Sequence, residues 1–208
     1  MYKVPLKVLS ALLSVSASIS AHSQVSPAAH GRGPLPLRVG AGYSNYATDW
    51  NGRLGGPTVW IDFDIPKLPP SWSGFQLEAE GRDLNYTRSG ESQPYDPKLR
   101  QYSFAGGVNY AWRYDPAFHP YAKFMVGLGN INFSQISVGI PGYTHDSRVF
   151  YAPGGGVEVR AHHRIWIRGE YEHQFWPDFI NHHALTPHGF TIGAFYDFSR
   201  FALKQYQP

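Results

Sequence analysis

From Leu37 to Arg200 apolar and polar residues alternate with a period of two, and this constrains the fold more than any other feature of the chain. Successive side chains of an extended strand point to opposite faces, so the pattern describes strands with one greasy face and one polar face. In the first run Leu37, Val39, Ala41 and Tyr43 oppose Arg38, Gly40, Gly42 and Ser44. The second sets Val59, Ile61, Phe63 and Ile65 against Thr58, Trp60, Asp62 and Asp64, and the third sets Phe75, Leu77 and Ala79 against Gln76, Glu78, Glu80 and Arg82. In the fourth, Tyr102, Phe104, Val108, Tyr110 and Trp112 oppose Ser103, Gly107 and Asn109. A fifth, from about Tyr121 to Asn132, keeps Ala122, Phe124, Val126 and Leu128 on one face, and a sixth, from about Arg148 to Arg160, sets Val157 and Val159 against Glu158 and Arg160. The seventh sets Ile165, Ile167 and Tyr171 against Arg168, Glu170 and Glu172. The eighth, near His188 to Arg200, sets Phe190, Ile192, Ala194, Tyr196 and Phe198 against Thr191, Gly193 and Asp197.

Turn signals separate these runs at Asn51-Gly52, 66–73, 89–97, Asp115-Pro116, Pro141-Gly142, 161–163 and 176–187. The expected fold is all-β, an eight-stranded antiparallel up-and-down transmembrane β-barrel. The connections after strands one, three, five and seven lie at one end, and three of those four are long, as in barrels of the outer membrane.

Alternation alone does not say which face is inside, because a soluble barrel buries its apolar face and a membrane barrel turns it to lipid. Three features favour lipid. Runs of about 10 to 13 residues exceed the ~5 to 6 usual in soluble sheets and match a tilted span. Aromatic residues mark strand ends at Trp50, Tyr86, Trp112, Tyr121, Phe175 and Trp176, where headgroup-level girdles are expected. Glycines crowd the polar face at positions 40, 42, 107, 127, 129, 154, 156 and 193, which is expected to make room for long charged side chains in a narrow lumen.

The chain ends fit export. Lys3 and Lys7, the apolar stretch from Val8 to Val15 and the small-x-small site Ala21-His22-Ser23 read as a signal peptide over 1–23, cleaved before Gln24. A linker follows over 24–36, the barrel occupies 37–200, and 201–208 form a short extension. Without Lys3 and Lys7 the basic count falls from 18 to 16 against 15 acids, so the formal charge falls from +3 to +1. No block of basic residues remains to bind a phosphate backbone, so a nucleic-acid partner is not expected. With no cysteine in the chain, disulfides and cysteine-ligated metals are excluded.

The last strand, Thr191-Ile192-Gly193-Ala194-Phe195-Tyr196-Asp197-Phe198, resembles the carboxy-terminal signal that hands outer-membrane proteins to the barrel-assembly machinery, with Gly193, Tyr196 and Phe198 as its marks. Pro153-Gly154-Gly155-Gly156-Val157-Glu158-Val159-Arg160 and Ile167-Arg168-Gly169-Glu170-Tyr171-Glu172 are similar to the penultimate hairpin of the OmpA-like small outer-membrane β-barrel family. The resemblance implies a Gram-negative, porin-family outer-membrane protein, with membrane lipid and the assembly machinery as partners and a monomeric state. Here Phe201 to Pro208 follow the signal, whereas the usual signal ends its chain. No peptidoglycan-binding domain follows either, so the wall-anchoring role of longer members is not carried over.

Motifs for chemistry are sparse. His145-Asp146-Ser147 has the residue types of a hydrolytic triad, but such geometry is normally assembled from distant positions; it supports only the alternative of a lipid A deacylase or acyltransferase. His173, His182, His183 and His188 gather near one rim without a ligand spacing that demands a metal, and His162-His163 reads as a solvated turn. Pro153-Gly154-Gly155-Gly156 lacks the ending of a phosphate loop. No catalytic residue, cofactor or metal is assigned. The best candidates are charges expected in the lumen: Arg82, Arg160 and Arg168 with Glu78, Glu80, Glu158, Glu170 and Glu172 as partners. The expectation is a non-enzymatic envelope-structural or surface-interaction barrel, with a narrow gated pore as its active version and a soluble lipocalin-like binder as a further alternative.

Overall fold

A computed structural model of the chain describes residues 36–49, 52–87, 99–133, 145–179 and 183–199. The proposed signal peptide, the linker, Trp50, His182 and the extension at 201–208 lie outside these residues. Eight strands form a closed antiparallel barrel: β1 (Leu37–Ala47), β2 (Arg53–Asp64), β3 (Phe75–Thr87), β4 (Leu99–Ala111), β5 (Phe118–Phe133), β6 (His145–Arg160), β7 (Ile165–His173) and, after a small hairpin of β8 (Trp176–Phe179) and β9 (His183–Leu185), β10 (His188–Asp197). Each barrel strand pairs with its neighbours in chain order. β1 closes the ring against β10, in register from Arg38 opposite Asp197 to Ala47 opposite His188. Closure gives every barrel strand a hydrogen-bonded neighbour on both sides, which is the requirement for backbone in a medium that offers no hydrogen bonds.

The burial pattern is inverted relative to a soluble protein. Val39, Tyr43, Val59, Ile61, Phe104, Val126, Leu128, Ile167, Tyr171 and Ile192 stand on the outside, while Asp62, Glu78, Glu80, Arg82, Lys123, Glu158, Arg168, Glu170 and Glu172 are buried. A surface of this kind in water would be one continuous apolar patch, so the medium it fits is a bilayer, and the soluble-binder alternative is overturned. No helix of the described residues is long and apolar enough to cross a membrane, so the crossing is made by strands.

The two ends differ. At the end where β1 begins and β10 finishes, the connections are 65–74, 112–117 and 161–164. The first of these is longer than a hairpin turn; it carries Lys67 at φ 66° and a 3-10 turn at Pro70–Trp72. There Trp72, Phe75, Tyr110 and Trp112 form a chain of rings with centroids 5.4, 4.8 and 5.2 Å apart, and this is the girdle at the turn end.

At the opposite, loop end the segment expected as a turn over 176–187 instead holds the β8–β9 hairpin, which continues the barrel wall through a bridge between Tyr151 and Phe175. Asp49, between β1 and β2, accepts hydrogen bonds from the Thr186 backbone N–H at 2.7 Å and its hydroxyl at 3.1 Å, tying this segment down. Three residues expected in the girdles are corrected here: Tyr121 and Trp176 point into the lumen, and Tyr86, on the inward face of β3, packs against the apolar layer there. Phe175 and Trp112 do stand outside.

Since the exterior of β5 must face hydrocarbon, placing a charge at its midpoint has a defined cost. Val126→Arg is expected to destabilise the folded barrel by about 2–4 kcal/mol, read as a shift of the urea unfolding curve in lipid vesicles.

Candidate functional site: the filled lumen

Inward-facing positions of all eight barrel strands meet in a lumen that is filled in three layers. Nearest the loop end is an apolar layer of Tyr46, Leu54, Leu84, Met125, Ile131, Phe150, Trp176 and Leu185. Trp176 enters it from the β8–β9 hairpin, stacks on Phe150 with centroids 5.1 Å apart, and donates its indole N–H to Gln174 Oε1 at 3.0 Å. At the turn end a second aromatic layer is formed by Trp60, Trp166 and Phe195.

Glycine makes this packing possible. The Trp60 ring lies where a side chain on Gly40 or Gly193 would be, the Phe150 ring over Gly127, and the Trp176 ring over Gly129. The room expected for long charged partners is therefore occupied at these positions by aromatic rings.

Between the apolar and the aromatic layer lies the charged one. Lys123 Nζ sits 2.7 Å from Glu170, 2.9 Å from Glu80 and 3.2 Å from both Glu78 and Glu172. Arg168 reaches Glu78 at 2.8 Å, Glu170 at 3.0 Å and Asp62 at 3.4 Å, and its Nε donates to the Tyr121 hydroxyl at 2.6 Å, which itself donates to Glu170 at 2.6 Å. Arg82 pairs with Glu80, Glu170 and Glu172, and its guanidinium lies 5.0 Å from the Tyr46 ring. Tyr46 donates its hydroxyl to Glu172 at 3.0 Å, which links the apolar layer to the charges.

Charges so buried are held by completeness. Removing water from each costs several kcal/mol, and the cost is offset when every carboxylate meets a cation or a donor. Three cations, Arg82, Lys123 and Arg168, here face five carboxylates, Asp62, Glu78, Glu80, Glu170 and Glu172, so the centre of the lumen is acidic on balance.

Of the residues singled out from sequence, Glu78, Glu80, Arg82, Arg168, Glu170 and Glu172 come together in this layer. Glu158 belongs to a separate group near the turn end, 3.3 Å from Arg38, with Arg38 also 3.7 Å from Asp64. Arg160 is placed outside both: as the last residue of β6 it is half-exposed at the rim, with its guanidinium 5.6 Å from the Trp166 ring. Lys123, Tyr121, Asp62 and Arg38 complete the groups and were absent from the sequence-derived set. The signal for Lys123 was its parity, since it alternates with the outward Ala122 and Phe124.

The triad-like segment is taken apart. Asp146 faces inward, 3.1 Å from Arg148, while Ser147 points outward and accepts a hydrogen bond from Asn130 at 2.7 Å, so two of the three residues lie on opposite faces of β6. Gly154, Gly155 and Gly156 are ladder residues of β6, and His162 and His163 lie in the β6–β7 turn. Gly193 faces the lumen, Tyr196 accepts a hydrogen bond from Arg164 at 3.0 Å, and Phe198 packs on Tyr196 just past the end of β10.

The family model described as outer membrane protein beta-barrel domain matches residues 9–198. The chain belongs to that family. Membership, the closed eight-stranded wall and the apolar exterior together place it in the outer membrane. Its architecture is similar to that of neisserial surface protein A, NspA (TM-score 0.57, 9% identity, covering 78% of this chain and 96% of that one). It is also similar to OprG from Pseudomonas aeruginosa (0.54, 9%, 80% and 97%) and to Ail, the attachment invasion locus protein of Yersinia pestis (0.50, 17%, 77% and 96%). No curated protein sequence matches the chain.

The arrangement predicts unequal costs for removing cations. Lys123→Met leaves four carboxylates short of their shared partner and is expected to lower stability by about 3–5 kcal/mol, with partial recovery when Glu80→Gln is added. Arg160→Ala, at the rim, is expected to change it by less than about 0.5 kcal/mol in the same vesicle unfolding assay.

Proposed function

We propose that this protein is a monomeric, non-enzymatic structural barrel of the outer membrane, plugged by its own side chains, whose external activity resides in its loop-end surface. The observation that carries the reading is the filling of the lumen by an apolar layer, a charged layer and an aromatic layer in series. A solute path would have to displace stacked rings as well as part ion pairs, and eight strands leave an interior little wider than the side chains. The separation of Asp146 from Ser147 supports the non-enzymatic part, because nucleophile and orienting acid must meet through a base on one face. In this reading residues 1–23 direct export and are removed, Gly193, Tyr196 and Phe198 mark the last strand for the assembly machinery, and lipid is the constant partner of the outer face.

A second reading is favoured by one feature. Lys123 has four carboxylates within 3.2 Å, so it can trade partners without losing its charge compensation, the behaviour required of a gate. The acidic excess would make such a pathway cation-selective.

Planar-bilayer recording decides between them, on protein whose folding is first established by its mobility on an unboiled gel. The plugged reading expects a folded but silent barrel, for wild type and for Arg168→Gln alike. Discrete current steps in wild type, altered by Arg168→Gln or Glu170→Gln, would instead establish the gated pore.

A further inference from the structure

β7 ends on His173 and β10 begins on His188, and the barrel register sets these two residues directly opposite one another. Both occupy outward-facing positions at the loop end, beyond the apolar pair Tyr171 and Phe190 that lies next along the same strands. Their imidazole rings are 5.7 Å apart between centroids and within 11° of parallel. Phe175, two residues further along the chain at the loop end, packs against His173 at 4.6 Å, and Tyr171, on the membrane side, lies 6.3 Å from His188, so the pair has an aromatic neighbour on each side. Neither imidazole has a hydrogen-bond or ion-pair partner among the described residues. On the other side of His188 the opposing residue of β1 is Ala47, whose side chain is small and offers no ligand atom.

We propose that His173 and His188 form a binding site for a late first-row divalent cation, of the Zn²⁺, Ni²⁺ or Cu²⁺ class, at the outer rim of the barrel. Neutral imidazole is the side chain these ions take most readily without a thiolate, and two of them in a fixed cross-strand relation lose little freedom on binding. Metal–nitrogen bonds of about 2.0–2.1 Å place two imidazoles sharing one ion roughly 5–6 Å apart between ring centres, the separation found here before any backbone movement. Binding requires each ring to turn about its Cβ–Cγ bond until one nitrogen of each faces the ion. Water completes the coordination sphere, since the protein supplies two ligands. The sequence places both residues near one rim, but a spacing of fifteen positions carries no ligand signature, and it is the β7–β10 register that sets them directly opposite one another.

The test is isothermal titration of the detergent-folded barrel with ZnCl₂ alone, together with electron paramagnetic resonance after adding one equivalent of CuCl₂. The site predicts one-to-one Zn²⁺ binding that weakens about tenfold or more in His173→Gln and in His188→Gln, and a copper spectrum with coupling to two nitrogens that is lost in either variant. His162→Gln/His163→Gln, in the opposite turn, is expected to bind as wild type does. Both single variants lie on the outside of the barrel, so unboiled gel mobility is expected to show them folded. Unchanged Zn²⁺ affinity in a folded His173→Gln/His188→Gln protein, or loss of binding in the His162/His163 variant instead, would overturn the proposal.

Discussion

Everything in this molecule follows from the need to satisfy the backbone without water. In hydrocarbon each unpaired N–H or C=O costs several kcal/mol, so a chain that crosses with strands must close them into a ring. Closing only eight strands makes the ring narrow, and the two-residue period then sends half of the side chains into it. The apolar half has the bilayer as solvent. The polar half has nothing but itself, and the lumen has to be solved as a packing problem with charges in it.

The solution separates size from charge along the barrel axis. Large rings occupy the two ends, and they fit because the positions across from them are glycines: Trp60 over Gly40 and Gly193, Phe150 over Gly127 and Trp176 over Gly129. The larger group of charges, around Lys123, occupies the middle, shielded from bulk water by those rings, and a smaller one, Arg38 with Glu158 and Asp64, lies near the turn end. Shielding raises the strength of each ion pair and equally the cost of any group left without a partner, so the middle layer is assembled as one network through Lys123, Arg82 and Arg168. Tyr46 and Tyr121 bridge the two kinds of layer, each with an apolar ring and a hydroxyl spent on Glu172 or Glu170.

The wall of the barrel was legible in the sequence to within a few residues, because register in a one-faced strand is enforced at every second position. β6 begins at His145, three residues ahead of the expected Arg148, since strands at the loop end are free to extend beyond the membrane. The lumen was legible only as a list of charges. Lys123 is a lone charge in a strand marked by its greasy face, yet the same alternation points it inward. An aromatic residue at a strand end is compatible with either face, so the pattern alone does not separate the inward Tyr121 and Trp176 from girdle residues. The β8–β9 hairpin was invisible for a different reason: its strands are four and three residues long, too short for a period to emerge.

The same packing bears on where selection can act on such a protein. A substitution in the lumen is felt across the network: Lys123 alone touches residues from β3 and β7, and Arg168 joins β7 to β2, β3 and β5. A substitution on the outer wall must remain apolar to keep its place in the bilayer. That leaves the rims, where side chains answer neither to the network nor to hydrocarbon. Arg160 at one rim and the facing His173 and His188 at the other are the kind of residue found there: charged or metal-binding by type, outside the ion-pair network, and removable without opening the wall. New activity in a barrel this small is therefore acquired at its edges, while the lumen is committed to holding the ring closed.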